Sequence, residues 1–287
     1  MKIGGHLNSN FGYYNTCYAM KEIGGNAAQI SLKNTNLAYF ETKTIIPEED
    51  AKKCKKFVND NDFFLINHSI HKINFARDPN ENHSAIKSLV DDLIQIDKLG
   101  GYGSVFHMGK KLQMSEETAI NNMITSINRV YELSKHTKSK ILLENSAGEG
   151  SALFEIEIMK QVYDGLNPET KDKVEFVFDT CHSFSAGYDL SSIQKVRNFY
   201  AKVNKLLGWH KVAAIHLNDS NEPFNSRKDR HQNLLLGHIY NDNKRAKGLQ
   251  EIIRICDNTN IPMILETDPC LHSAEIQLVK RLAKEKL

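Results

Sequence analysis

The run Val174-Glu175-Phe176-Val177-Phe178 leads straight into Asp179, and His182 follows three positions later. A buried strand that ends in Asp-x-x-His brings a carboxylate oxygen and an imidazole nitrogen to one rim of a sheet. Zinc and manganese accept that mixture of donors. The same event recurs along the chain. Candidate strands at 63–68, 104–107, 140–144, 212–216 and 262–266 end in His68, His107, Glu144, His216 and Glu266, and a strand at 2–6 ends in His6. Only the candidate at 28–32 ends without a metal-binding group, at Leu32, followed by Lys33 and Asn34. Beyond the seventh strand, Asp229 and His231 alternate in Arg227-Lys228-Asp229-Arg230-His231, so in an extended loop both point the same way. A single histidine at a strand end is better read as a cap or a hydrogen-bonded surface group. Nine donors converging on one rim would be badly desolvated without a shared cation. His68, His107, Glu144, Asp179, His182, His216, Asp229, His231 and Glu266 exceed what one zinc takes, so two or three ions with a bridging carboxylate are expected. Such a cluster suits hydrolysis of phosphate esters.

The elements that must position these donors alternate regularly. Between the apolar runs lie amphipathic stretches. Ile86, Leu89, Val90, Leu93 and Ile94 follow the helical i, i+3, i+4, i+7, i+8 stripe, and Gly100 closes that helix. A fourth helix starts at Ser115 with Glu116 and Glu117 in its first turn, where carboxylates suit the dipole. A second begins at Pro47 and the last covers about 274–286. Eight strands alternating with helices predict an α/β fold of the (β/α)8 TIM-barrel type, one domain over residues 1–287. In that fold the functional side chains stand at the C-terminal ends of the strands.

Composition excludes several classes. Hydrophobic content of 40% and charged content of 25% are ordinary for a globular chain. No apolar run is long enough for a membrane helix, and no signal-peptide layout opens the sequence, so an intracellular, non-secreted protein is expected. Cys17, Cys54, Cys181, Cys256 and Cys270 are scattered and odd in number, which fits a reducing compartment and excludes a Cys-rich zinc ribbon. A formal charge of +2 does not diagnose nucleic-acid binding, so any phosphate contact must come from local clusters.

The motifs Phe178-Asp179-Thr180-Cys181-His182, Ala186-Gly187-Tyr188-Asp189-Leu190 and Leu143-Glu144-Asn145-Ser146-Ala147-Gly148-Glu149-Gly150 resemble the endonuclease IV family of apurinic/apyrimidinic (AP) endonucleases. His216-Leu217-Asn218-Asp219-Ser220, Asp229-Arg230-His231 and Ile264-Leu265-Glu266-Thr267 extend the resemblance over nearly the whole chain. It implies a TIM barrel with three zinc ions, manganese being an alternative at one or more sites. It implies in-line hydrolysis of the phosphodiester 5′ to an abasic site in double-stranded DNA, leaving a 3′-hydroxyl and a 5′-deoxyribose phosphate. Removal of 3′-blocking groups is implied as well. By position, His68, His107 and Glu144 would hold one ion. Glu144, Asp179, His216 and Glu266 would hold the second, and His182, Asp229 and His231 the third. Glu144 and Glu266 would orient the attacking hydroxide.

The departures lie at residues expected to meet DNA. Asn36 stands where the family usually has Arg, His71 where Tyr is usual, and Met108 where Pro is usual. Leu234-Leu235-Leu236-Gly237 replaces a Gly-Glu-Gly run. Asn36 and His71 are therefore candidate DNA contacts altered from the family pattern. Arg227, Lys228 and Arg230 are a basic cluster able to meet phosphates. Cys181, a family position that is not a ligand, is expected to pack as a small hydrophobe. His6 is expected to support ligands without being one, and His83, His136, His210, His238 and His272 are expected to be solvated or capping. Asn8, Asn34, Asn145 and Asn218 are candidate polar contacts, and a monomer is the default. Two rivals remain: a xylose-isomerase-like sugar epimerase using only Glu144, Asp179, His216 and Glu266, and a damage-binding protein that no longer cuts.

Overall fold

The computed structural model describes residues 1–33, 43–242 and 244–285, so Asn34 and Asn36 lie outside the described residues. Eight parallel strands close into a barrel: β1 Ile3–His6, β2 Ala27–Ile30, β3 Phe64–His68, β4 Gly103–His107, β5 Lys140–Glu144, β6 Val174–Asp179, β7 Val212–His216 and β8 Met263–Leu265. Closure is made by pairing of β1 with β8, Ile3 opposite Met263. A helix follows every strand, as the alternation requires. Ser115 caps the helix Glu116–Ser134 by accepting the Thr118 N–H, and Gly100, at φ 77, turns the chain after the helix His83–Lys98.

Two strands end earlier than the sequence pattern implies. β2 stops at Ile30 because the N–H of Leu32 is taken by the Asn67 side chain and not by a neighbouring strand. β8 stops at Leu265 because Asn218 Oδ1 accepts the Glu266 N–H.

Side chains alternate along each strand, so residues two apart share a face. Inside the barrel this builds layers. Ala27, Ile66, Val105, Leu142, Val177, Ala214 and Ile264 form a dry apolar plug. Two residues further along each strand stand Gln29, His68, His107, Glu144, Asp179, His216 and Glu266, with His6 from β1. Register sets them side by side: His107 opposite Glu144, Asp179 opposite His216, His6 opposite Gln29. A larger apolar shell, including Leu89, Leu93, Met123, Ile127 and Ile252, packs the helices on the outside of the sheet.

The seam near β1 tolerates no bulk. A Cβ on Gly4 would fall 1.6 Å from the Ala27 carbonyl oxygen, and one on Gly5 would fall 2.5 Å from the ring of His272. His272, expected to be solvated or capping, is completely buried, whereas His83, His136, His210 and His238 are exposed. Gly4→Ala should therefore cost on the order of 3 kcal/mol in urea unfolding, an overpacking penalty with no room to relax.

Burial holds the His272 ring below the ordinary histidine range. Its folded value lies under the unfolded one of about 6.5, so stability is full above that pH and is lost as the pH falls through it. The drop in urea midpoint between about pH 7.5 and pH 5.5 should be smaller in His272→Leu than in the wild type. Parallel curves for the two proteins would assign the slope elsewhere.

Candidate metal centre

All nine predicted donors meet at the C-terminal mouth of the barrel. His68 Nε2, His107 Nε2 and Glu144 Oε2 form a triangle with edges of 3.1, 3.2 and 3.1 Å. Four-coordinate zinc with bonds near 2.0–2.1 Å requires donor separations of about 3.3–3.4 Å, so the triangle is nearly the size of one tetrahedral face. The other oxygen of Glu144 turns away, to 2.8 Å from His216 Nδ1, which is itself 3.1 Å from Glu266 Oε2. Glu144, Asp179, His216 and Glu266 each offer a donor atom to one shared space, and His182, Asp229 and His231 do so for another. Glu144 thus faces two groups of donors with separate oxygens.

Asp179 serves two purposes. One oxygen caps the short helix Thr180–Ser185 by accepting the His182 N–H at 2.8 Å. The second lies 3.4 Å from His231 Nε2 and takes the Asn218 amide at 2.6 Å. Asp229 and His231 do point the same way, 3.2 Å apart, because His231–Gln232 pairs antiparallel with Asp219–Ser220.

The ring nitrogens behave as those of ligands do. Nδ1 of His182 contacts the Asn145 carbonyl at 3.0 Å, and Nδ1 of His231 contacts the Glu266 carbonyl at 3.3 Å. Their Nε2 atoms are buried without an aligned hydrogen-bond partner, although Asp229 oxygens lie 3.1 and 3.2 Å away. Imidazole nitrogens and carboxylate oxygens facing one another at such distances are what a cation would fill, and fixing the far nitrogen is how proteins set the tautomer of a metal-binding imidazole. His68 follows the same rule through the Ser69 carbonyl at 2.8 Å. The residues present therefore fit divalent ions.

Electrostatics point the same way. Burial raises the carboxyl of Asp179 despite the nearby imidazoles of His182 and His231. Burial opposes charge on Glu144 and Glu266 too, yet the imidazole of His216, joined by His107 at Glu144, holds both well below the usual carboxylate range. His182 and His216 are in turn driven well above the histidine range against burial, by Asp179 and Asp229 for the first and by Glu266 and Glu144 for the second. His231 is also opposed by burial, and Asp179 and Asp229 push it up to about 9. Without cations, protons on the imidazoles do the compensating, and bound metal would displace them.

Sequence reasoning missed Gln29. Its Oε1 lies 2.9 Å from His216 Nε2 and its amide nitrogen donates to Glu266, so it fixes two donors at once. The clue was a lone polar residue inside Ala27-Ala28-Gln29-Ile30. Asn218 is a similar support, bonded to Asp179 and to the Glu266 backbone. Asn145 binds the Asp179 N–H and Ser183, a structural role. His6 contacts Gln29 and Ser31, and burial lowers its ring to about 4. Cys181 is buried and donates weakly to the Arg230 carbonyl, although its sulfur also lies within reach of Asp179 and His231 donor atoms. All five thiols are free.

Of the basic cluster, Lys228 pairs with Glu222 and Arg230 with Glu149, both on the surface. Arg227 stacks on Phe154, its guanidinium 3.8 Å from the ring centre. Met108 donates its N–H to the Glu144 carbonyl at 3.0 Å, a bond a proline could not make. Leu234 and Gly237 wrap onto Glu275 and Asp219.

Residues 17–269 match the family described as xylose isomerase-like TIM barrel. A probable endonuclease 4 of Clostridium beijerinckii is 31% identical over 98% of this chain and 99% of its own. The chain belongs to the endonuclease IV family. Endonuclease IV of Thermus thermophilus superposes over the full length of both chains with a TM-score of 0.82 at 21% identity. A D-tagatose 3-epimerase-like protein shares the fold at a TM-score of 0.71 and 15% identity, covering 98% and 97% of the two chains. The fold alone therefore does not separate the nuclease from the epimerase reading. Among the described residues no helix is long and apolar enough to cross a membrane.

Gln29→Leu should keep the barrel but weaken retention of one metal equivalent by about 10- to 100-fold in competition with a chromophoric chelator. Unchanged retention would reduce Gln29 to a packing residue.

Proposed function

We propose that this chain is a DNA-repair AP endonuclease, hydrolysing the phosphodiester 5′ to an abasic site in duplex DNA to leave a 3′-hydroxyl and a 5′-deoxyribose phosphate. Removal of 3′-blocking groups follows from the same chemistry, since the site would read sugar and phosphate and no base. Three zinc ions, with manganese as an alternative, would be held as the sequence implies: by His68, His107 and Glu144; by Glu144, Asp179, His216 and Glu266; and by His182, Asp229 and His231. The observation that carries this reading is the fusion of these donor groups at one mouth, with Glu144 offering one oxygen to each of two groups. A sugar epimerase needs only the four-donor core and leaves His68, His107, His182, Asp229 and His231 without work. No donor is lost, which disfavours a protein that binds damage without cutting.

When bound, such ions supply positive charge at phosphate oxygens and acidify a water. The chain's own residues do the rest. A central cavity of about 200 Å³, bordered by His6, His68, His107, His182, His231 and Glu266, lies between larger clefts of about 360 and 740 Å³. It falls below the roughly 300–1,000 Å³ of ordinary ligand pockets, a size suited to one small piece of a long substrate. Glu266 borders it and Glu144 contacts His68 and His107 on its wall, and the two carboxylates would orient the attacking water. Exposed pairs such as Lys228–Glu222 and Arg230–Glu149 are weak, so DNA phosphates can replace the carboxylates. Arg227 adds charge beside them. The protein would work as a monomer inside the cell.

An end-labelled duplex carrying one abasic analogue should be cut once, immediately 5′ to it, in magnesium-free buffer. Prolonged chelation should abolish cutting and zinc should restore it. Glu266→Gln should keep the fold and lose about 10²- to 10⁴-fold in rate. Near-wild-type cutting by that variant would sink the role of Glu266, and no cutting by folded, metal-loaded protein would turn attention to sugars.

A further inference from the structure

His71 stands in the turn after β3, three residues beyond His68. The residue is exposed, and its ring packs beside two of the donors. Its centre lies 5.2 Å from the ring of His68 and 5.2 Å from that of His107, tilted by 44° and 73°. One nitrogen from each of the three imidazoles falls within 4.8 Å of the others. Of these, His68 and His107 already close a triangle with Glu144 Oε2. Three donors at such separations leave one corner of a tetrahedron to fill, and His71 borders the same central cavity.

We propose that His71 is the fourth ligand of the ion held by His68, His107 and Glu144, an inference that rests on reading these residues as a metal site. This differs from the DNA contact that the resemblance implied for its position. A ring packed against two imidazoles is placed to donate a lone pair, and the His₃-carboxylate set suits zinc. With four protein donors such an ion would lack an open position, and substrate would need one donor to yield. Of the four donors, His71 is the one carried on an exposed turn and so the one able to yield.

The test uses full-length protein, stripped with chelator and reloaded with Co²⁺ or Zn²⁺, and compares wild type with His71→Phe and His107→Phe. The phenyl ring keeps the bulk of His71 without a donor, and thermal unfolding checks that each variant is folded. In His71→Phe the cobalt absorption of one equivalent should change towards fewer protein donors. One zinc equivalent should pass to a chromophoric chelator at least about tenfold more readily. His107→Phe should lose that equivalent altogether. If His71→Phe keeps both the spectrum and the retention while His107→Phe loses an equivalent, the proposal is overturned and the metal reading stands. If His107→Phe loses nothing, or wild type takes up no metal, both fall.

Discussion

The structure depends on one electrostatic constraint. Glu144 and Asp179 are fully buried and Glu266 nearly so, packed around a common space with five imidazoles. Carboxylates in that position repel one another and lose hydration, and only compensating positive charge makes the arrangement stable. Around this requirement the rest is arranged: the apolar plug two residues below keeps water from entering from beneath, and Gln29, Asn145 and Asn218 spend their amides on holding the donors. His68, His182 and His231 are each fixed by a backbone carbonyl at the ring nitrogen away from the other donors.

The barrel was legible because short apolar runs and helical stripes are separate signals, and both recur with little interruption. The donors were legible because a polar residue ending an apolar run has few bland explanations when the event repeats. Gln29 escaped for a corresponding reason. It lies within the run and not at its end, and the second strand looked as if it continued to Leu32. Counting by two from Ala27 would have placed Gln29 in the donor layer. His272 escaped because nothing in the order Pro269-Cys270-Leu271-His272 reveals that a glycine, Gly5, leaves it a slot across the barrel seam. For His71, expected to contact DNA, sequence order does not show how a turn brings its ring beside His68 and His107. Asn36 lies outside the described residues.

Some residues carry two duties that a sequence reading tends to treat as rivals. Asp179 is both the cap of a helix and a donor, one oxygen for each. Glu144 divides its oxygens between neighbouring donor groups. A carboxylate used this way couples local folding to whatever fills the mouth, so a structural and a functional role are not alternatives at these positions. The epimerase-like relatives by fold share the barrel, and the site, not the barrel, sets the chemistry.

The pairing of β1 with β8 has a consequence for the order of events in synthesis. The first strand leaves the ribosome long before the last, and Glu266, the final donor, directly follows β8. Until then β1 has an open edge, and the central donor set lacks one of its carboxylates. A metal ion arriving during translation would meet only a partial site, still lacking Glu266. A complete set of donors therefore exists only once the barrel has closed.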